Sequence, residues 1–457
     1  MNPFESTFKQ LKSHFDSGLT RPLSWRLNQL KQLQRFLDEN EKPLLEALKN
    51  DLNKHPSEAR LTELQFLQSD IKHTIKALPK WSKARKVGNP LLAWPAKSQL
   101  VPEPLGTVLI LGAWNYPLQL LLAPLVAAIA AGNCALIKPS EHASATADLL
   151  SRQLPDYLDN SAIKIVTGAA IESQQLTTLP FDHIFYTGGE HAAKSIMAAA
   201  AENLTPVTLE LGGKSPAVVL ADAPIQVAAR RIVWGKFLNA GQTCIAPDYV
   251  LVEDSVKEQL ISAMHQELVN FYGDDPQNSD CYGRIIHQGH WQRLTQMLDQ
   301  ENIVIGGDFD KAERYIAPTI VDGVKENSAL MQEEIFGPIL PVITIKSAAD
   351  AIETIHRHPK PLALYVFSNT QRLLSLFTEK VSAGNVCYND TLMFMLNDKL
   401  PFGGVGRSGM GRYHGKFGFD TFSHLKPVMK RSFRFDVALR YPPYSKFKDK
   451  ILSWFSP

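Results

Sequence analysis

The amino-acid sequence predicts an α/β protein made of two doubly wound lobes. Short apolar strands alternate with helices from Gly106 onward, and a second series of the same kind begins near "PVTLELGGKSPAVVLADA". Strands that alternate with helices are typical of parallel, doubly wound sheets. The chain of 457 residues suits two or three domains at about 150 residues each. Two such series in tandem therefore indicate two lobes with a cleft between them.

Residues 1–80 have the spacing of amphipathic helices. Leu and Phe recur with a helical period in "WRLNQLKQLQRFLDENEKPLLEALKNDL". The next stretch, "KVGNPLLAWPAKSQLVPEPLG", contains four prolines and interrupts that period. We expect a loop or an extended arm there rather than core.

The two αβ series can be followed along the chain in order. The first contains the strands "GTVLILG", "NCALIKPS", "AIKIVTG" and "HIFYTG", with helices in "PLQLLLAPLVAAIAAG" and "SATADLLSRQL". The second runs through "RYIAPTIVDGV" and "ILPVITI" to "LALYVFS". No internal repeat or low-complexity tract interrupts either series.

Composition and charge argue against several classes of protein. Lys and Arg number 48 against 46 Asp and Glu, a formal net charge of +2, so no global field favours nucleic acid. Four cysteines without a CxxC motif do not form a disulfide framework, which indicates a reducing compartment. The 13 histidines lack metal-binding spacing, and we expect no metal. The most apolar run, Leu120 to Ala131, is shorter than the roughly 20 residues of a membrane-spanning helix. We expect a cytoplasmic protein.

The segment from Lys426 to Lys450, "KPVMKRSFRFDVALRYPPYSKFKDK", is basic and aromatic. Two interpretations stay open for it. It is either a solvated or partner-wrapping tail, or a weak membrane-surface contact, because basic amphipathic stretches can lie on anionic lipid. The closing "KDKILSWFSP" is too short to span a membrane.

Cys244 lies in a polar turn, "WGKFLNAGQTCIAPDYV". A thiolate is the reactive form of cysteine, and a turn rich in backbone N–H groups can stabilise it. Most lone cysteines are instead buried small hydrophobes, so the residues alone leave both interpretations open. Cys134, inside the apolar strand "NCALI", suits the second interpretation better.

Six ordered motifs resemble those of one enzyme family. "LNAGQTCIAPDYV" is similar to the active-cysteine segment of the aldehyde dehydrogenase superfamily, in the form of its class 3 branch for fatty or aromatic aldehydes. The other five are "GAWNYP", "LIKPSE", "TLELGGKSP", "EEIFGP" and "LPFGGVGRSGMG", and "RYPPY" resembles a class 3 tail feature. The resemblance covers almost the whole chain.

The resemblance implies three catalytic residues. Cys244 is the nucleophile. Glu210 ends a strand-like run ahead of two glycines, where a surface charge would be the ordinary interpretation, and by resemblance it is the general base that activates water. Asn115 alone suggests a turn residue. By resemblance its amide and the backbone N–H of Cys244 form an oxyanion hole, where losing one donor costs about 2.7–4 kcal/mol.

The resemblance also implies NAD as cofactor, with NADP accepted by many class 3 relatives. Lys138 and Glu141 would hold the adenosine ribose, where a carboxylate facing the 2′ position favours NAD. Gly188 would lie under the pyrophosphate. Glu334 and Phe336 would hold the nicotinamide ribose and pack against the ring, and Glu334 is a second candidate for the hydrolytic base.

Two aromatic residues are further candidates. Phe402, in "LPFGGVGRSG", resembles the aromatic residue that contacts the nicotinamide or the substrate. Tyr116, in "WNYP", is assigned the same kind of contact. The glycine-rich run around Phe402 lacks the Gly-Lys-Ser/Thr ending of a Walker phosphate loop.

The stretch "YTGGEHAAK" departs from the family pattern. Ala193 stands where the family has a second glycine, and Glu190 replaces a neutral residue. A methyl at position 193 should be tolerated. A carboxylate at position 190 would repel the pyrophosphate unless it turns outward.

The implied fold combines an atypical Rossmann NAD-binding domain, a catalytic domain and a β-arm for oligomerisation into a homodimer. The expected segments are 1–80 and 102–209 for the NAD-binding domain, 210–385 for the catalytic domain, 81–101 and 386–432 for the arm, and 433–457 for a C-terminal tail.

The implied reaction is the NAD(P)-dependent oxidation of an apolar aliphatic or aromatic aldehyde to the acid, through a thiohemiacetal and a thioester on the cysteine. A CoA-acylating dehydrogenase would use the same cysteine, but that branch commonly lacks the base at Glu210, and the same residue argues against a reductase of acyl phosphates. A catalytically idle structural protein on this fold is the alternative from another class.

Overall fold

The computed structural model describes residues 2–90, 93–434, 436 and 438–453. The α-helices are α1 (Glu5–Asp16), α2 (Leu23–Glu39), α3 (Glu41–Leu52), α4 (Pro56–Ala59), α5 (Gln65–Trp81), α6 (Gln119–Ala131), α7 (Ser144–Gln153), α8 (Ala170–Thr177), α9 (Glu190–Glu202), α10 (Ile225–Phe237), α11 (Lys257–Tyr272), α12 (Gln288–Gln296), α13 (Ala329–Gln332), α14 (Ala348–His356), α15 (Gln371–Lys380), α16 (Gly415–Thr421) and α17 (Lys446–Ser453). The strands are β1 (Arg85–Val87), β2 (Lys97–Pro104), β3 (Thr107–Leu111), β4 (Cys134–Lys138), β5 (Ile163–Ile165), β6 (His183–Thr187), β7 (Val207–Glu210), β8 (Pro216–Val219), β9 (Tyr249–Glu253), β10 (Ile303–Ile305), β11 (Phe309–Asp310), β12 (Tyr315–Ile316), β13 (Thr319–Asp322), β14 (Ile339–Ile345), β15 (Ala363–Phe367), β16 (Asn385–Tyr388), β17 (Gly409–Met410) and β18 (Ser423–Lys430).

The first αβ series forms a six-stranded sheet with the order β17-β7-β6-β3-β4-β5. Its neighbours from β5 to β7 are parallel, and only β17 runs antiparallel at the edge. The chain starts in the middle at β3, proceeds outward to β5, and then crosses back to β6. Strand order reverses between β3 and β6, and such a switch point opens a crevice at the carboxyl ends of the strands.

Helix α6 explains the most apolar run of the sequence. All of its residues are buried, so it is a core helix that packs against β3, β4, α2 and α5. It ends at Gly132, whose φ of 95° is left-handed, as is common where a helix stops. In the part of the chain that is described, no helix is long and apolar enough to cross a membrane.

The second series forms a seven-stranded sheet with the order β10-β13-β14-β9-β8-β15-β16, parallel except at β10. Alternate residues of its central strands belong to two separate clusters. The cluster that includes residues of α10 and α11 contains Ala217, Val219, Val250, Val252, Ala363 and Tyr365. The cluster that includes residues of α14 and α15 contains Val218, Leu220, Leu251, Leu364 and Val366. Helices therefore cover both faces, which confirms the doubly wound prediction.

A third, three-stranded antiparallel sheet contains β1, β2 and β18, and we call it the arm sheet. Strand β18 pairs with β2 over eight residues, from Ser423 opposite Pro104 to Lys430 opposite Lys97. Most of β18 is exposed. The proline-rich stretch predicted as a loop or an arm thus includes an extended, solvent-facing sheet.

Elements near two predicted boundaries belong to the neighbouring sheets. Strand β16 begins at the predicted limit of 385 and extends the second sheet to Tyr388. Within 386–432, β17 joins the first sheet and α16 packs on α5 and α6, so only β18 belongs to the arm sheet. Sequence patterns do not predict these domain boundaries, because they depend on which distant strands pair with one another.

Candidate active site

A cleft of about 800 Å³ opens at the carboxyl ends of β3, β4, β6 and β7. Its volume lies within the roughly 300–1,000 Å³ of small-molecule sites. The ends of these strands and the loops after them line it together with α8, α9, the Cys244 turn and the segment around Glu334. Five of the six motifs therefore meet in one space: "GAWNYP", "LIKPSE", "TLELGGKSP", "LNAGQTCIAPDYV" and "EEIFGP".

The turn before Cys244 is held by its own backbone and by one buried amide. Gly241 has a left-handed φ of 74°, and a Cβ there would lie 2.2 Å from the carbonyl oxygen of Gly337. Buried Gln242 donates from Nε2 to the carbonyl oxygens of Asn239 and Arg284, at 3.0 Å each, and accepts from the Ile286 N–H at 3.0 Å. This places the half-buried Cys244 side chain in the cleft wall.

The thiol of Cys244 is not activated by the turn alone. Burial, followed by the nearby carboxyl groups of Glu334 and Glu210, raises the pKa of Cys244 above its ordinary value. The backbone N–H groups of Cys244 and Ile245 lower it, as the turn predicted. Desolvation outweighs them and keeps the pKa of Cys244 above its ordinary value. A nearby base must take the thiol proton.

Glu210 is the last residue of β7, and it lines the cleft. Its side chain is buried, which raises the pKa of Glu210 well above its ordinary value. Neither carboxylate oxygen has a hydrogen-bond partner among the described residues. Buried polar atoms are ordinarily satisfied, so this unpartnered carboxyl group is a candidate to contact a molecule bound in the cleft.

A second carboxyl group lies in the same space. The Glu334 carboxyl packs directly on Gly212, where an added Cβ would lie 2.0 Å from Glu334 Oε2. Loss of water and then the charge of Asp248 raise the pKa of Glu334 to about 8, although the N–H of Gly213 and the cations of Lys214 and Arg293 oppose this. Both candidate bases therefore face the nucleophile.

Asn115 follows β3, lines the cleft and is buried. Its Nδ2 donates to the carbonyl oxygen of Gln242 at 3.1 Å, within the turn that carries Cys244. A side-chain amide has two N–H donors, so one remains for a ligand. The geometry brings the predicted oxyanion donor beside the predicted nucleophile.

The opposite end of the cleft contains the two residues expected at the adenosine ribose. Lys138 ends β4, is buried, and donates from Nζ to Glu141 Oε2 at 3.1 Å. Burial would raise the pKa of Glu141, but its backbone N–H and Lys138 outweigh burial and lower it. The carboxylate is therefore charged at neutral pH.

The floor of the cleft suits an extended dinucleotide. Gly188 and Gly189 precede α9, and nothing lies within 4 Å of a Cβ built on Gly189. Helix N-termini beside glycines accept phosphate groups. The glycine floor, the unpartnered Glu210 carboxyl and the Lys138–Glu141 pair together fit NAD, which would lie along the carboxyl ends of the strands.

The two departures from the family pattern do not obstruct this floor. Glu190 pairs with Arg407, at 2.8 Å from Nη2, and with Lys194 at 2.8 Å. These hydrogen bonds lower the pKa of Glu190 to about 2, and its side chain does not line the cleft. Ala193 is buried against Leu209 and does not line the cleft either.

Phe336 lines the cleft, whereas Phe402 and Tyr116 do not. Phe336 lies edge-on to Trp114, with ring centroids 5.3 Å apart. Phe402 stacks on His414, which lines a second cavity of about 190 Å³. Tyr116 is buried, and its hydroxyl lies 2.7 Å from Thr243 Oγ1. Phe402 is therefore buried among aromatic side chains, and it lines neither cavity.

A buried lysine near the cleft and an aromatic wall within it escaped the sequence analysis. Lys236 is fully buried on α10, and its Nζ has no hydrogen-bond partner in the described part of the chain. Burial lowers the pKa of Lys236 to about 8, while Asp248 and Glu334 act in the opposite direction. Trp114 and His290 form the aromatic wall around Phe336. The sequence could have indicated Lys236, because it is a lysine on the apolar face of a helix. No sequence pattern indicated the aromatic wall.

Comparison with known proteins agrees with this arrangement. The family profile described as "Aldehyde dehydrogenase family" matches residues 4–428. The 4,4'-diaponeurosporen-aldehyde dehydrogenase of Staphylococcus aureus is 49% identical over 451 residues, covering 98% of each chain. Aldehyde dehydrogenase family 3 member A2 of Rattus norvegicus is 46% identical over 98% of this chain and 93% of its own.

Two solved structures extend the comparison. The substrate-bound state of Staphylococcus aureus AldH superposes with a TM-score of 0.98 at 47% identity, covering 100% of both chains. A mutant of P. syringae AldA, an indole-3-acetaldehyde dehydrogenase in complex with NAD+ and IAA, superposes with a TM-score of 0.86 at 26% identity, covering 93% of this chain and 88% of its own.

Proposed function

The chain belongs to the aldehyde dehydrogenase family, and we propose that it oxidises an apolar aldehyde to the carboxylic acid with NAD, through a thioester on Cys244. As a member of that family it is an oxidoreductase. The observation that carries the proposal is the meeting of Cys244, Glu210 and Asn115 in the wall of one cleft whose floor fits a dinucleotide. Three distant segments of chain supply these groups.

The first half of the reaction forms the acyl-enzyme. Cys244 loses its proton to a neighbouring carboxylate, and its sulfur attacks the aldehyde carbon. The resulting oxyanion accepts hydrogen bonds from Asn115 Nδ2 and from the backbone N–H of Cys244. When bound, NAD supplies the hydride acceptor. The carbonyl then reforms as a thioester, which splits one difficult step into two easier ones.

The second half releases the acid. A water molecule attacks the thioester carbon and gives a proton to the carboxylate of Glu210. The carbon–sulfur bond breaks, and the Cys244 thiolate leaves and is reprotonated. We assign this step to Glu210 rather than Glu334, because both oxygens of Glu210 lack hydrogen-bond partners in the described ranges, whereas the Glu334 carboxyl group already accepts from the N–H of Gly213.

The matching experiment is a panel of aldehydes of graded chain length and aromaticity, run with NAD and with NADP, each with and without CoA. We expect NADH formation without CoA. Strict dependence on CoA would instead support the acylating alternative, and inactivity toward every aldehyde would support a structural protein.

An apolar substrate is supported by the second cavity. Leu61, Phe66, Met395 and Leu396 line it beside Asp70, Asp398 and His414. The segment "YNDTLMFMLND" thus contributes apolar surface there through Met395 and Leu396. One relative is named for the oxidation of 4,4'-diaponeurosporen-aldehyde.

Leu396→Glu is expected to lower kcat/KM for a ten-carbon aldehyde about tenfold and leave propanal unchanged, because the charge would lie against the distal methylenes, each worth about 0.8 kcal/mol when buried. Leu396 is 60% exposed, so folding should be unaffected. Steady-state kinetics with both aldehydes provide the measurement. The matched control is Leu204→Glu at another exposed leucine, and equal losses for both aldehydes would contradict the assignment of the cavity.

Glu141→Gln is expected to raise kcat/KM for NADP relative to NAD about tenfold. The carboxylate of Glu141 is charged at neutral pH and would repel a 2′-phosphate, whereas Lys138 would be released to bind it. The measurement is the ratio of the two cofactors' specificity constants, supported by the binding constants of 2′,5′-ADP and 5′-AMP. An unchanged ratio would remove Glu141 from cofactor selection.

The arm sheet supports a homodimer. Strand β18 exposes Leu425 and Met429, with 42% and 57% of their surfaces accessible, and β1 leaves a short edge. Exposed apolar residues on an extended sheet suit a second copy of the chain. A monomeric mass by light scattering at micromolar concentration would contradict this assembly.

A further inference from the structure

A buried ion pair lies behind the cleft, between residues that no motif includes. The side chains of Lys54 and Glu63 are both 0% exposed, and Lys54 Nζ lies 2.6 Å from Glu63 Oε1. Removing two charges from water is costly and is not recovered by their attraction alone. The remaining contacts of the two groups therefore indicate what the pair does.

The other hydrogen bonds and the ring contact of the pair reach the loop that follows β3 and the start of α6. Lys54 Nζ donates to the carbonyl oxygen of Asn115 at 2.8 Å and lies 3.9 Å from the centroid of the Tyr116 ring. Glu63 Oε2 accepts from the N–H of Leu118 at 2.9 Å and from that of Gln119 at 3.3 Å. The pair thus fixes both the start of this loop and the first turn of α6, where a negative charge is favoured.

Lys54 and Glu63 lie next to or within segments of uncommon backbone conformation. Lys54 follows Asn53, which ends α3 with a left-handed φ of 53°. Glu63 lies in a π-helical turn, residues 60–64, between α4 and α5. Such π-turns are rare and occur frequently at functional sites. The turn rotates Glu63 inward, where its carboxylate meets the loop after β3.

The loop in turn is joined to the Cys244 turn. Asn239 Nδ2 donates to the same Asn115 carbonyl at 2.9 Å, and Asn115 Nδ2 donates to the Gln242 carbonyl at 3.1 Å. The Tyr116 hydroxyl meets Thr243 Oγ1. The backbone of Asn115 is therefore held from behind by Lys54, while its side chain points to the nucleophile's turn.

We propose that Lys54 and Glu63 are positioning residues that hold the Asn115 amide at the oxyanion site. Neither lines the cleft, so they act through Asn115 and the α6 N-terminus. The inference rests on the proposed function, because Asn115 matters in this way only if an oxyanion forms beside Cys244. Small displacements of a catalytic group by distant substitutions can cost about 100-fold in rate.

The test is a double-mutant cycle on the acylation step. Lys54→Met, Asn115→Ala and the combined variant are mixed rapidly with aldehyde and saturating NAD, and the rate of the first-turnover NADH burst is recorded. We expect Lys54→Met to slow the burst about 10- to 100-fold. In the Asn115→Ala background it should cause no further slowing, and NAD binding by fluorescence titration should stay within twofold of wild type.

A merely structural role predicts a different pattern. It would slow the burst by the same factor in both backgrounds, and that additivity, or an unchanged burst in Lys54→Met, would overturn the proposal. Lys257→Met, which removes a partly buried lysine from its pair with Asp322, is the matched control and should leave the burst unchanged.

A second variant, in which both members of the ion pair are replaced by neutral residues, keeps the proposal testable if Lys54→Met does not fold. If Lys54→Met does not fold, Lys54→Met/Glu63→Leu removes both charges and leaves no unpaired carboxylate. The same comparison is then made with and without Asn115→Ala, and a wild-type burst in the neutral pair would overturn the proposal. A wild-type enzyme that produces no burst with any aldehyde would instead contradict the proposed function itself.

Discussion

Replacing Cys244 with serine is expected to lower kcat for aldehyde oxidation by at least about 10⁴-fold, which is in the range found when a covalent nucleophile is removed. A serine hydroxyl is a far weaker nucleophile, and no thioester can form. The cleft gives the loss a specific origin, because Cys244 lies beside two carboxyl groups and the Asn115 amide. Steady-state NADH formation measures the effect.

Mass spectrometry of the enzyme during turnover provides the second measurement for this residue. An acyl adduct is expected on Cys244 in the wild type and on no residue of Cys244→Ser. Cys281→Ser is the matched control, because Cys281 is exposed and lies outside the cleft, and its turnover should be unchanged. Retained turnover in Cys244→Ser would make the thioester mechanism wrong.

Replacing Glu210 with glutamine is expected to leave the first-turnover NADH burst in place and to slow later turnovers about 10²- to 10⁴-fold, the usual contribution of a general base. Glutamine keeps the shape of the side chain but cannot accept a proton from water. The acyl-enzyme should therefore accumulate. Rapid mixing separates the burst from the steady state, and an unchanged steady state would exclude Glu210 as the deacylation base.

The pH dependence of that step provides an independent check. Burial raises the pKa of Glu210. Its carboxylate, which is the basic form, therefore becomes populated at a higher pH than the carboxylate of an ordinary glutamate. Deacylation in the wild type should accelerate on the alkaline side, and Glu210→Gln should flatten this dependence. Glu334→Gln is the informative comparison, since the same loss of later turnovers in that variant alone would transfer the role to Glu334.

Much of the fold could be predicted because its signals are local. Alternating apolar strands and helices appear directly in the sequence, and the completely buried α6 corresponds to its most apolar run. The motif residues that line the cleft follow strands whose carboxyl ends meet at one edge. Lys138, Gly188 and Glu210 were assigned to one site by the resemblance of their motifs to the family's, and all three line the cleft.

Other properties of the site depended on partners distant in the chain. The outward direction of Glu190 comes from Arg407, more than two hundred residues away. The high pKa of the Cys244 thiol comes from burial and from two carboxyl groups on other segments. Phe402 is buried outside the cleft, where it stacks with His414 and Phe394. None of these partners leaves a mark on the sequence around the residue it affects.

The sequence by itself determined the two αβ lobes, the family resemblance and the identity of the residues that meet in the cleft, since hydrophobic period and motif spacing are properties of short segments. Only the tertiary structure decided the protonation of Cys244, the direction of Glu190 and the support of Asn115 by Lys54 and Glu63. Desolvation and Coulomb interaction depend on which charges come within a few ångströms of one another. That proximity is created by folding and cannot be read along the chain.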